Sequence, residues 1–187
     1  MSLALSTVTT KVRELINDTV KTTVPGDIFT YASSDVFTLT EDNPVAISAV
    51  FKNDVEQDSS LYSFDSDTGK VTISFSASSG DTIEIRYTYY ESYSDTVIQN
   101  YIKSSIAELS IQNYKTFIIE SSVIYPDPEE SEENLIAVIA AVLLKPDNKS
   151  YRLPDLTVNV AETRSTRQIV RDIIRNFKKG TLIIDII

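Results

Sequence analysis

Five cations recur along one stretch of the chain: Arg164, Arg167, Arg171, Arg175 and Lys178. At the angular step of a helix they fall within an arc of about 80°. Ile169, Val170, Ile173, Ile174 and Phe177 fall on the opposite side. Such a row can contact DNA phosphates or an acidic protein surface. The plainer reading is a solvated face whose cations suit the negative end of a helix dipole. The acidic block of the same chain, or of a neighbouring copy, is a third partner open to it.

Other chemistry-bearing patterns are weaker. The carboxylates of residues 127–133 could form an acid pair or a metal cluster, but four Glu in one turn without His suit the N-terminus of a helix as surface charge. Asp65-Ser66-Asp67-Thr68-Gly69 resembles a calcium loop only faintly. Its Gly sits one place early, and Ser76 stands where a bidentate Glu belongs, so a hairpin turn is the better reading. Tyr87, Tyr89, Tyr90 and Tyr93 could stack on a sugar, although aromatics in strands are more often core or cross-strand pairs. The end of the chain, with Leu182, Ile183, Ile184, Ile186 and Ile187, is a candidate docking tail. It could add a strand to a partner's sheet or pack on its own body.

The chain has no His and no Cys. That removes the commonest general base, the commonest zinc ligands, the thiol nucleophile and the disulfide. Its four Gly are widely separated, so no phosphate-cradling loop is present. The expectation is a protein that is not an enzyme, with no catalytic residue, no cofactor and no metal. A carboxylate hydrolase would need two convergent acids, and spacing singles out no pair.

The elements that must position these residues can be read from periodicity. Helices are expected over Ser6 to Val20, from a Ser94 cap to about Tyr114, from near Glu129 to Leu144, and from a Thr163 or Ser165 cap to about Lys178. The run Leu135 to Leu144 is apolar all round. It suits the central core helix and is too short to span a membrane. The opening MSLALSTVTTKV lacks the charge and apolar length of a signal peptide. Strands are expected at Val36 to Thr40, Ala46 to Lys52, residues 61–64, Lys70 to Phe75 and 83–90. Phe117 to Tyr125 has some strand character, and Leu156 to Val160 could be a short strand.

Charge divides the chain as periodicity does. Gly26 to Ser92 holds twelve Asp or Glu and three Lys or Arg, a net of -9, while the remainder is nearly balanced at -1. The fold class is therefore α+β: a small helical bundle interrupted by an antiparallel β-module. The helical body is expected at 1–25 and 93–187, with the acidic module at 26–92 inserted after the first helix. A net charge of -10 argues against general nucleic-acid binding.

The run AVFKNDVEQDSSLYSFDSDTGKVTISFSASSGDTIEIRYTYY resembles a β-module of tailed-bacteriophage structural proteins. Its marks are a V-x-x-N-D strand and turn, a Y-x-x-D-x-x-T-G-x-V-T-I hairpin and G-D-x-I-x-I-x-Y. The following YSDTVIQNYIKSSIAELSIQNY is similar to the helix that opens the body of phage head-to-tail connector proteins, the adaptor or head-completion family of the neck. The resemblance implies a virion structural protein, assembled in the host cytoplasm. It would form a homo-oligomeric ring between the portal protein and the tail or tail-terminator protein. Genome DNA would be a partner only during passage through the channel, with no membrane involved. The alternatives are a phage structural protein whose β-module binds a glycan or receptor, and a tail-completion protein.

Overall fold

The structure, a computed structural model, describes residues 3–153, 155–160, 164–181 and, as backbone, 183–186. In chain order, β1 (Leu3–Ala4) and α1 (Leu5–Ile16) precede β2 (Val20–Thr22), β3 (Asp27–Thr30), β4 (Val36–Thr38), β5 (Pro44–Lys52), β6 (Val55–Glu56), β7 (Tyr62–Asp65), β8 (Lys70–Ile73) and β9 (Thr82–Tyr90). Then come α2 (Asp95–Ile111), β10 (Ile118–Glu120), β11 (Val123–Tyr125), α3 (Glu130–Leu144), β12 (Ser150–Leu153), β13 (Leu156–Val160), α4 (Thr166–Lys178) and β14 (Ile183–Ile186). The fold is α+β, in two compact units: residues 1–18 with 95–187, and residues 19–94.

In the first unit α3 is the core. Every residue from Leu135 to Val142 is buried, and the helix meets α1, α2, α4, β12 and β13. Each Leu, Ile or Val fully buried there contributes roughly 1.5–3 kcal/mol relative to exposure. The apolar stripe of α1 (Leu5, Val8, Val12, Leu15, Ile16) packs toward α3 and α2. Helix α1 stops four residues before the expected Val20. Asn17 adopts the left-handed conformation at φ 58°, and the Asp18 N–H closes back on the Arg13 carbonyl at 2.9 Å. Val20 accordingly lies half-exposed in β2 rather than on a helix. Helix α2 ends at Ile111, three residues short of the expected Tyr114. The stretch after it forms a tight hairpin, β10–β11, whose turn residues Ser121 and Ser122 sit at φ 48° and 64°. Strand β1 extends that sheet beyond β11.

The second unit is a small β-sandwich. In one sheet β9 is central: β5 pairs along one edge and carries β6, while β2 and β3 share the other edge. The second sheet has the order β4-β8-β7. Ile83, Ile85 and Tyr87 of β9, Val50 of β5, Phe37 of β4 and Val71 and Ile73 of β8 form one shared core. The alternation along β9 buries Ile83, Ile85 and Tyr87 and leaves Glu84, Arg86 and Thr88 half-buried on the other face. Strands β2 and β3 escape periodicity because each is only three or four residues long and is broken from the next by Pro25-Gly26. Their pairing with β9 moves the start of this unit to Thr19, ahead of the expected Gly26.

Gly26 lies against the β9 backbone. A Cβ built there would stand 2.2 Å from the Ile85 carbonyl oxygen, and its own N–H donates to Glu84 Oε1 at 3.2 Å. Gly26→Ala must push two backbones apart between β2 and β3. Chemical denaturation followed by the near-ultraviolet signal of the tyrosines should show a loss of at least about 1–3 kcal/mol, with α-helical ellipticity retained at denaturant concentrations that melt the sandwich.

Candidate interaction surfaces

Helix α4 starts at Ser165, which takes the N-cap position and whose N–H donates to Gln168 Oε1 at 3.3 Å. Ile169, Val170, Ile173 and Ile174 are buried and Phe177 half-buried, so the apolar side is held by the core. Phe177 meets the edge of the Tyr114 ring at a centroid distance of 5.8 Å. Four of the five sequence-predicted cations, Arg167, Arg171, Arg175 and Lys178, are exposed on the helix, whereas Arg164 precedes the N-cap and does not belong to the helical face. Arg164 Nη1 pairs with Asp172 Oδ2 at 2.5 Å, and Arg175 Nη2 pairs with Asp172 Oδ1 at 2.6 Å. Lys178 Nζ donates to the Gln112 and Asn113 carbonyls at 2.7 and 3.1 Å, where it closes the end of α2. Arg167 and Arg171 are exposed and, among the described residues, make no hydrogen bond or ion pair. Gln168, Asp172 and the arginines 164, 171 and 175 line a shallow depression of about 410 Å³.

Asp172 is the residue that sequence reasoning missed. It flanks the basic arc, three places before Arg175, and the i,i+3 pairing rule could have found it. The Lys178 contact is tertiary and has no local signal.

In the sandwich, exposed acids occur at both ends: Asp54 and Glu56 stand at the β5–β6 turn beside the start of β9, and a second group lies on three segments near its end. The Leu39 N–H donates to the Gly69 carbonyl at 2.9 Å, joining the loop after β4 to the β7–β8 turn. The Tyr90 N–H donates to the Asn43 carbonyl at 3.1 Å, joining the same loop to the end of β9. Glu41, Asp42, Asp65, Asp67 and Glu91 are exposed on these three segments. Lys21 pairs with Glu91. Asp65 is a turn residue: it accepts from Thr68 Oγ1 at 2.8 Å and from the Asp67 N–H at 3.0 Å, and Gly69 takes φ 63°. The Thr68 hydroxyl and these N–H groups hold the Asp65 carboxyl below the usual carboxylate range.

The remaining candidates resolve as follows. Tyr87, placed by sequence in a stacking platform, is fully buried. Its hydroxyl donates to Asp27 Oδ2 at 3.1 Å and accepts from the Glu41 N–H at 3.0 Å. Tyr89 packs on the same core, 6.2 Å from the Tyr87 ring centre. The carboxylates at the start of α3 are not all surface charge. Glu132 and Glu133 are buried; Glu132 pairs with Lys115 at 2.7 Å and Glu133 with Lys11 at 2.9 Å. Burial works against ionisation of Glu132, but the Lys115 ammonium and the Glu129 N–H outweigh it and lower its pKa. Among the described residues no group of three or more acids is placed to hold a metal ion, and no helix is long and apolar enough to cross a membrane. In the candidate tail, Leu182 and Ile187 lie outside the described residues. The backbone of Ile183, Ile184 and Ile186 belongs to β14, which pairs in parallel with β13, Val158 opposite Ile184.

No family model matches the chain, and no curated protein matches it.

Two outcomes test these surfaces. Asp172→Asn should weaken the hold on Arg164 and Arg175 and move elution from an immobilised polyanion to higher salt, with a stability loss above the roughly 1 kcal/mol of a surface pair because the carboxylate is buried. Burial pushes the Tyr87 phenol up to about 12. A raised folded pKa means the stability it contributes is complete below pH 10 and lost as pH rises toward 12. Phenolate absorbance should therefore lag for this residue, and the sandwich should loosen across that window.

Proposed function

We propose that the protein is a virion structural subunit of the tailed-phage head–tail connector, assembling as a ring between portal and tail. The observation that carries the reading is the architecture of the insertion. An acidic β-sandwich, with the quoted V-x-x-N-D, hairpin and G-D-x-I-x-I-x-Y patterns, leaves the helical body after α1 and returns at α2. That is the element order the connector resemblance implies. Subunit contacts in a ring, docking to the portal above and to the tail below, and exclusion of phosphates from an acidic channel wall are all interaction chemistry. The surfaces described, a basic helix face and an acidic sandwich end, are suited to it. The glycan-platform alternative loses one of its four tyrosines, because Tyr87 is enclosed in the core.

Electron microscopy of the purified protein, alone and mixed with the portal protein of the phage that encodes it, is expected to show rings, and rings seated on the portal. A chain that stays monomeric in both samples and binds no portal or tail component would sink the reading.

A further inference from the structure

Arg167 and Arg171 stand one helical turn apart on the exposed face of α4, with no partner among the described residues. Arg175 and Arg164 flank them, turned toward Asp172. The single Asp172 carboxylate offsets one of their two charges, so the positive charge is densest in a compact spot at Arg167 and Arg171. It is too short to follow a DNA backbone through many phosphates, and a net charge of -10 opposes that use at long range. A spot of this size fits an acidic protein surface. The chain itself supplies one: unit 19–94 carries twelve acidic and four basic side chains, and five exposed acids gather on three neighbouring segments at one end. Glu41, Asp42 and Asp67 there have no hydrogen bond or ion pair from their side chains among the described residues.

We propose that the Arg167–Arg171 face of α4 docks the Glu41–Asp42–Asp67 end of the sandwich of a second copy of this chain. This contact rests on the ring reading and specifies how one copy would hold the next. Because donor and acceptor surfaces differ, the contact is head-to-tail, and repetition generates a ring if the rotation closes. The guanidinium groups supply forked donors to carboxylates. The contact is exposed, so it is screened by salt.

Sedimentation velocity of the full chain is to be followed at low and at about 0.5 M salt, where the Debye length is about 4 Å. The variants are R167E/R171E, E41K/D67K and a mixture of the two. Each double variant is expected to weaken self-association at least about tenfold. The mixture is expected to restore it, because reversed acid then meets reversed base. Circular dichroism matching the unmodified chain guards against misfolding, and the single substitutions R171E and E41K carry the test if a double variant is unstable. Concentration-independent sedimentation with reduced compactness in the variants would mean closure within one chain and overturn the proposal. Rings that form on the portal as readily with R167E/R171E overturn this contact while leaving the connector reading standing. A chain monomeric at low salt, alone and with portal, overturns both.

Discussion

The guanidinium of Arg13 holds together the two places where the chain leaves and rejoins the helical body. Arg13 is buried within α1, and its side chain pairs with Asp18 and, at 2.6 Å, with Asp95. Asp18 is the last residue before the sandwich and Asp95 the first residue of α2. A planar donor with several N–H groups can serve both carboxylates at once, which a lysine ammonium could do only without fixed geometry. Removing Arg and Asp from water is expensive, and only close, well-directed bonds offset it. Asp18 has nowhere to find water, since its side chain is 3% exposed. The sandwich repeats the closure on its own side. Val20 lies opposite Tyr90 in the β2–β9 ladder, and Lys21 pairs with Glu91. An insertion whose ends are adjacent costs the host little loop entropy, so a module can sit inside a helical bundle without unmaking it.

Once that junction is fixed, the body depends on α3. An all-apolar helix can be buried on every side, but its polar ends must be satisfied by other elements. At its start Lys11 reaches Glu133 and donates to Asn134 Oδ1 at 2.7 Å, while Lys115 and Tyr114 reach Glu132. At its end Lys145 Nζ donates to the Ile16 carbonyl at 3.1 Å, and Tyr151 donates to the Lys145 carbonyl. The acidic turn that reads as surface charge is therefore partly an interior polar layer, tying α1 and the segment after α2 to the core helix.

Legibility in the sequence followed element length and the locality of the forces. Helix α3, the alternation of β9, the Asn53-Asp54 turn with both residues at positive φ, and the Gly69 hairpin each carry their own signal over a few consecutive residues. The fold class follows from them. Strands β2 and β3 do not, because three or four residues hold no periodicity and exist only by pairing with β9, distant in sequence. The early stop of α1 was hidden because Val20 continues the helical spacing, and a single left-handed Asn17 ends the element regardless. For the basic face, the arc is legible, and Asp172 is local and could be read as well, while the carbonyls under Lys178 come from the turn after α2.

Net charge and local charge act at different ranges. At physiological ionic strength the Debye length is about 8 Å. Copies of net charge -10 repel only weakly once separated by more than that distance. Within it, the pattern of individual side chains decides. Lys21, Lys52 and Arg86 of the sandwich are each held by a neighbouring acid, at Glu91, Asp81 and Glu84. Those pairings leave exposed acids at two places, Asp54 and Glu56 at the β5–β6 turn and Glu41, Asp42 and Asp67 where the three loop segments meet. In the helical unit Arg164 and Arg175 share the single Asp172 carboxylate, which offsets one of their two charges, and Arg167 and Arg171 make no ion pair among the described residues. The two units thereby carry spots of opposite charge on one polypeptide. A uniformly acidic particle would gain only solubility from its charge; a particle with segregated spots gains a preferred orientation toward its neighbours as well.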